Sequence, residues 1–475
     1  MSMIRPSVSV LVLTALLTAL PTAPCPAADA KNVEAKLAEF EKMIAEQAKQ
    51  IADQQKKIQE QDRKLADQDR KLAEVARKQD DQKQQAARHE EIRKVLAEMN
   101  EAAAKKGERI GVWSKLDIQL YGYVKADMSY DSSRVNTGNF ARWVDRDNVR
   151  GHDDQGSLTA KETRLGIKIT GPGSDNIKTS GVVEVDFFGD GAAENKAALM
   201  MRHAYLQIDW IKERFSIIAG QTWDVISPLN PSVLNYSVQW WAGNIGYRRP
   251  QIRLTKIFDV AKDVEWKLEA AATRNIGDAT AFHPVDTGTD SGLPVLQGRT
   301  SWTFPLWCKP TTLGFSGHVG EEENDFDNRD HNREVSTWSA NMDLFMPILD
   351  WLAFKGELFT GQNLDAFLGG IGQGVNSPAT FQAEGIRSCG GWGTVSLTPW
   401  AKWQFNVGAS MEALRGDTVD AATARTLNRA IFGNVLYEIN KNTSVGLELS
   451  HWHTEYKGGD AADALRLQTA FIYRF

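Results

Sequence analysis

The chain has 475 residues, a formal net charge of −6 and only three cysteines, Cys25, Cys308 and Cys389. So few thiols exclude a disulfide-built scaffold. Apart from one short N-terminal run, no apolar segment approaches the ~20 residues a membrane-crossing helix needs, which excludes a helical membrane anchor.

At the N-terminus, Arg5 precedes a thirteen-residue apolar run from Val8 to Leu20, and Ala28-Asp29-Ala30 forms an A-x-A cleavage pattern. These are the parts of an export signal over residues 1–30, with the mature chain beginning near Lys31. Cys25 follows Thr22, Ala23 and Pro24, which is not the small-residue context of a lipidated cysteine.

Residues 31–106 contain no Gly or Pro and are rich in Ala, Glu, Lys, Gln, Asp and Arg, a long-helix composition. Leu37, Ile44, Ile51, Ile58, Leu65 and Leu72 recur at heptad position a, and Gln47, Gln54, Gln61 and Gln68 occupy position d. This predicts a coiled coil, and four successive glutamine layers beneath Ile or Leu fit a parallel trimer better than a leucine-zipper dimer, because each buried amide needs a partner across the axis. At ~1.5 Å per residue the segment extends roughly 110 Å.

From 107 to 475 the period changes to two. Sixteen strands are predicted, at 116–130, 158–171, 177–188, 198–211, 213–223, 247–258, 264–275, 294–306, 311–321, 334–346, 351–362, 386–398, 402–414, 427–439, 443–456 and 463–475. In the last of these Leu465, Leu467, Phe471, Tyr473 and Phe475 share one face, while Arg466, Gln468 and Arg474 share the other. Short turns alternate with long loops at 131–157, 224–246, 276–293, 322–333, 363–385 and 415–426. An even strand number, apolar and polar faces, and short turns at one end only describe an all-β transmembrane barrel. Trp210, Trp266, Trp307, Trp351, Trp400 and Trp403 all adjoin the short turns, as an aromatic girdle at the membrane interface requires.

One stretch carries a family resemblance. Arg202-His203-Ala204-Tyr205 and Ala219-Gly220-Gln221-Thr222-Trp223, with "LYGYVKADMSYDS" near the first strand and "TRLGIK" at 163–168, resemble the DcaP-like porins over residues 116–258. The resemblance implies a trimeric outer-membrane channel with a positively lined lumen that serves dicarboxylates and related organic anions.

In such a barrel the working parts are pore-lining charges and a loop that narrows the lumen. The loop after the fifth strand, with Trp240, Trp241, Asn244 and Tyr247, is the expected constriction; its other reading is a loop packed on the trimer surface. Lys125, Arg164, Lys168, Arg248, Arg249, Arg253, Arg299, Arg466 and Arg474 are the expected pore-lining cations, and clustered arginines take carboxylates bidentately. Lumenal acids such as Glu162, Asp186, Glu269, Asp343, Glu357 and Glu448 are expected to pair with them. The barrel part holds 44 acidic against 36 basic residues, a global balance that says little about a local constriction.

Catalytic and metal patterns are weak. His451 and His453 share a strand face without a third ligand, no G-x-S-x-G occurs, and "EEENDFDNRD" at 321–330 lacks calcium-loop spacing and reads as a solvated external loop. No phosphate-cradling loop or nucleic-acid patch appears. The sequence therefore predicts a non-enzymatic outer-membrane porin without cofactor or metal, a homotrimer in lipid, passing small hydrophilic solutes with a preference for organic anions. Its coiled coil lies in the periplasm and reaches toward peptidoglycan. The alternatives are a structural outer-membrane anchor and a phosphate-selective porin.

Overall fold

The structure, a computed structural model, describes residues 116–146, 153–189, 197–276, 291–325, 332–376, 384–416 and 421–475, with single positions 42, 46, 289 and 419. The export signal and the heptad core from Leu37 to Leu72 lie outside the described residues.

Gly111–Phe475 is the second of two compact units. Its strands are β1 (Asp117–Asp131), β2 (Gln155–Thr159), β3 (Arg164–Thr170), β4 (Ile177–Asp186), β5 (Met200–Trp210), β6 (Phe215–Trp223), β7 (Arg248–Ala261), β8 (Val264–Thr273) and β9 (Val295–Leu306). They continue as β10 (Lys309–Asp325), β11 (Asn332–Leu349), β12 (Leu352–Gln362), β13 (Arg387–Trp400), β14 (Trp403–Leu414), β15 (Arg425–Asn440), β16 (Thr443–Tyr456) and β17 (Ala462–Arg474). Sequence neighbours pair antiparallel, except that β2 and β3 do not pair with each other, and β17 returns to β1 from Tyr123↔Arg474 to Asp131↔Arg466. Because β2 and β3 both pair with β1 and share one position, the result is a closed sixteen-stranded barrel with no free edge.

The interruption between β2 and β3 departs from the single strand expected at 158–171, and its cause is local. The Thr163 hydroxyl accepts the Lys125 backbone N–H at 3.2 Å, and Glu162 takes the Lys125 ammonium. Satisfying that lysine turns the chain inward for four residues. A second departure is the β10–β11 hairpin, which extends to Asp325↔Asn332, so the first half of the 321–330 acidic run is strand rather than loop.

Short turns close one end, of six and four residues after β3 and β5 and of two residues after β7, β9, β11, β13 and β15. At Trp307-Cys308 both residues have positive φ, 50° and 63°, the pair of left-handed conformations whose twist matches the flanking strands. Cys308 lies in this turn and Cys389 near the loop end of β13; both are free. The outer face carries exposed Leu120, Val183, Leu254, Leu358, Ile431, Leu449 and Phe471, with Trp302, Trp307, Trp351, Trp400 and Trp403 grouped toward the turns. This is a sheet whose outside is its apolar side, as lipid requires.

Candidate functional site: a lumen crossed by loops

The described parts of three connections from the open end fold inward: L1 (132–146), L3 (224–247) and L6 (363–376). L3 leaves β6, crosses the barrel and returns to β7, held on the far wall by polar side chains. Glu357 of β12 accepts the Leu229 N–H at 2.8 Å, Glu448 of β16 accepts the Leu234 N–H at 2.7 Å, and Asn434 of β15 donates to the Ser232 carbonyl at 2.7 Å. Glu412 of β14 accepts the Gly370 N–H of L6 at 2.6 Å. Irregular backbone inside a barrel leaves N–H groups that cannot reach a strand partner, and fully buried carboxylates satisfy them. Glu357 and Glu448 therefore serve the loops, not the lumenal cations with which they were expected to pair.

The loops also hold one another. The Asn235 side chain and the Ala141 backbone exchange bonds of 3.0 and 3.1 Å, Trp241 N–H donates to the Leu368 carbonyl at 2.8 Å, and Gly246 N–H to the Phe367 carbonyl at 2.8 Å. Between them lies an apolar cluster of Phe140, Trp143, Phe188, Trp240, Trp241 and Ile371. The expected constriction residues Trp240, Trp241 and Asn244 are buried here, with Tyr247 partly so. Burial pushes the Tyr236 hydroxyl of L3 above the ordinary tyrosine range. The inward folding of L1 and L6 was not anticipated, although Phe140-Ala141-Arg142-Trp143 and the apolar Leu364, Phe367, Leu368 and Ile371 are odd company for external loops.

Arginines interleave with these rings. Arg425 lies 4.0 Å from the Trp143 ring centroid and Arg142 lies 4.3 Å from that of Trp241. Arg248 sits among Trp223, Trp240 and Tyr247 at 5.0, 5.9 and 4.7 Å. Strand parity alone would send Arg248 away from Arg249. It is the first residue of β7, however, and the loop aromatics cover it to 1% exposure. None of its three guanidinium nitrogens has a hydrogen-bond partner.

Most of the other predicted cations are held by carboxylates. Arg299 grips Asp343 through two nitrogens at 2.9 and 2.6 Å and Glu269 at 3.0 Å. Arg466 holds Asp131 at 2.8 Å, Arg249 holds Asp224 at 2.8 Å, and Arg164 lies 3.4 Å from Glu184. Lys125 bonds Glu162, Asp127 at 3.3 Å and the Leu234 carbonyl at 2.8 Å. Arg202 holds Glu184 at 2.7 Å and Asp186 at 3.0 Å. Arg253 donates to Gln251 at 3.0 Å and Arg474 to Ser444 at 2.8 Å, while Lys168 is exposed near the short-turn end.

Cavities open at both ends. One of about 680 Å³ at the loop end is lined by Arg134, Trp143, Asp145, Arg146, Arg425 and Tyr456. One of about 480 Å³ at the turn end is lined by Lys402, Gln404, Glu438, Lys441, Ser444 and Arg474. His451 and His453 both contact Asp463, at 3.1 and 2.8 Å. Among the described residues no group of three or more His, Cys, Asp or Glu side chains is placed to hold a metal.

Among solved structures, the outer membrane channel DcaP of Acinetobacter baumannii is 20% identical, with 76% of this chain and 98% of that chain covered and a TM-score of 0.62. A loop L8 deletion mutant of OmpT from Vibrio cholerae is 7% identical over 76% and 100% of the two chains at 0.49. Salmonella typhi OmpF in complex with daunomycin is 11% identical over 75% and 97% at 0.49. No curated protein sequence matches the chain. The family model of the DcaP outer membrane protein matches residues 43–287. That span covers more than half of the sequence, and on it the chain belongs to the DcaP outer membrane protein family.

Proposed function

We propose that this channel passes small organic anions by passive, non-enzymatic diffusion, with carboxylates that carry a planar or aromatic body as its preferred solutes. The observation that carries this reading is Arg248, a buried guanidinium with three ring neighbours and no hydrogen-bond partner. A carboxylate is the partner such a fork matches, and the rings offer a stacking surface to the rest of the solute. Arg425 and Trp143 line the outer cavity, and behind them Trp241, Trp240 and Arg248 follow at contacts of 4.0 to 6.4 Å, a buried series of rings and guanidinium groups running inward. The acids beside Lys125, Arg202, Arg299 and Arg466 count against the cation ladder that a phosphate-selective porin would need.

We further infer a homotrimer in outer-membrane lipid. Residues 31–106 form its periplasmic coiled coil and reach toward peptidoglycan, and residues 1–30 are removed on export. Planar-bilayer recording in a KCl gradient tests the channel. The expected reversal potential has the sign of anion preference, and benzoate is expected to block more strongly than acetate. Cation preference would overturn the solute reading, and absence of conductance would favour the anchor. Deleting 31–106 is expected to weaken the trimer on native gels.

A further inference from the structure

The acidic run at 321–330 is not wholly external. Its second residue, Glu322, faces inward from β10, is 6% exposed, and accepts the Asn363 amide N–H at 2.7 Å at the base of L6. Asn363 is fully buried, and its amide oxygen has no hydrogen-bond partner. That oxygen and the Asp365 carboxylate converge on one spot above Gly374, where a Cβ would collide with both. The charges acting on Glu322 are those of Asp365 and Arg249, and Arg249 is already engaged by Asp224 at 2.8 Å and by the Ala366 carbonyl at 2.9 Å. The nearby His318 is stacked on Phe367 and bonded through both ring nitrogens to Ser339 and Thr337 at 2.7 and 2.9 Å, so it has no free edge for either acid.

The buried Glu322 carboxylate, the half-buried Asp365 carboxylate, which also accepts the Ala366 N–H at 3.0 Å, and the unsatisfied amide oxygen of Asn363, which adjoins both, are a donor set of hard oxygens. Ca²⁺ and Mg²⁺ take such ligands and complete their shells with water. We propose that Glu322, Asp365 and Asn363 bind a divalent cation of this class, which fastens L6 across the lumen. The consequence reaches the constriction. Asp365–Phe367 forms a single 3₁₀ turn, whose Ala366 carbonyl accepts from Arg249 and whose Phe367 ring lies 3.8 Å beneath that guanidinium. A cation at the turn's first residue fixes L6, Arg249 and the adjoining end of L3 together. The site is independent of which solute the channel carries.

The test uses full-length protein refolded in lipopolysaccharide-free detergent, stripped with EDTA and titrated calorimetrically with CaCl₂ or MgCl₂ alone, with melting followed in parallel. Binding is expected in the range of roughly 10⁻⁴ to 10⁻³ M, as for extracellular calcium modules, together with a cation-dependent rise in Tm. Glu322→Gln and Asp365→Asn should each weaken binding by at least about tenfold, because charge count sets affinity in such sites. The heat-modifiable gel band confirms that each variant is folded. Wild-type protein that binds neither cation would overturn the proposal. So would unchanged binding in both folded variants, which would assign it to Glu321, Glu323 and the outer surface. A Tm that rises on acidification and ignores added cation would mean that the two acids share a proton instead.

Discussion

Replacing Arg248 with glutamine separates a residue kept for solute from one kept for structure. Holding an unpaired ion out of water costs several kcal/mol in a relaxed protein. Against this stand three cation–π contacts at 5.0, 5.9 and 4.7 Å, each contributing about 0.5–2 kcal/mol depending on desolvation. The two sums nearly cancel, so Arg248→Gln should leave the barrel as stable as before or stabilise it by up to about 2 kcal/mol. Transport should respond in the opposite sense. A solute carboxylate bonded to the guanidinium gains about 1.5–3 kcal/mol, so the variant should bind benzoate about 10- to 150-fold more weakly. Arg248→Lys keeps the charge and loses the fork, and should fall between the two. Single-channel block by benzoate gives the affinity, reversal potential in a KCl gradient gives the selectivity, and urea denaturation gives the stability. Unchanged block and selectivity in Arg248→Gln would refute the foothold. A loss of several kcal/mol in its stability would show that the guanidinium is structural.

Other outcomes follow from the same geometry. Glu448→Ala removes the acceptor of the Leu234 N–H and of Asn434, bonds of 2.7 and 2.9 Å to a charged group; it should cost about 1.5–3 kcal/mol in local L3 anchoring and appear as larger, noisier conductance. If conductance stays quiet and unchanged, L3 is held elsewhere. Leu449→Arg on the outer face, at mid-strand, should cost about 2–4 kcal/mol if that face meets lipid; an unshifted heat-modification temperature would place the face against protein. Gly220 has φ of 130°, and a Cβ there would strike the Ala204 carbonyl and approach Tyr205 Cα at 2.6 Å, so Gly220→Ala should fail to give the folded gel band. Tyr236, raised by burial, should resist ionisation: its contribution to stability is complete below the unfolded tyrosine value of about 10 and is lost as pH rises through the folded value. Phenolate absorbance from this residue appearing near pH 10 in folded protein would contradict its burial.

The strands were legible because one physical rule generates them: lipid outside and water or protein inside force an alternation that survives in every stave. Leu465, Leu467, Phe471, Tyr473 and Phe475 are exposed while Arg466 and Gln468 are buried, and the closing pair β1–β17 follows from the same sorting. The split of β2 from β3 was not legible, because its cause is Lys125, nearly forty residues away in sequence, demanding Glu162 and Thr163. Parity fixes the face of a side chain and is silent about its partner.

That silence explains the site as well. Arg299 and Arg248 look alike in sequence, each an arginine in a strand-forming stretch. The first meets Glu269, its register partner on the neighbouring strand, and Asp343 two strands away, on the same lumenal face. The second meets Trp240 and Tyr247, which arrive from a loop whose path no period describes. Likewise Glu357 and Glu448 read as partners for arginine until L3 is folded inward and presents bare amides. In a barrel of this kind the wall is written in period two, whereas selectivity depends on which wall groups the loops occupy and which they leave unmatched. The loop positions that matter are those where rings and arginines alternate, Phe140 to Trp143 and Trp240 to Arg248, since an exposed loop gains nothing from such residues and a lumen-filling one does.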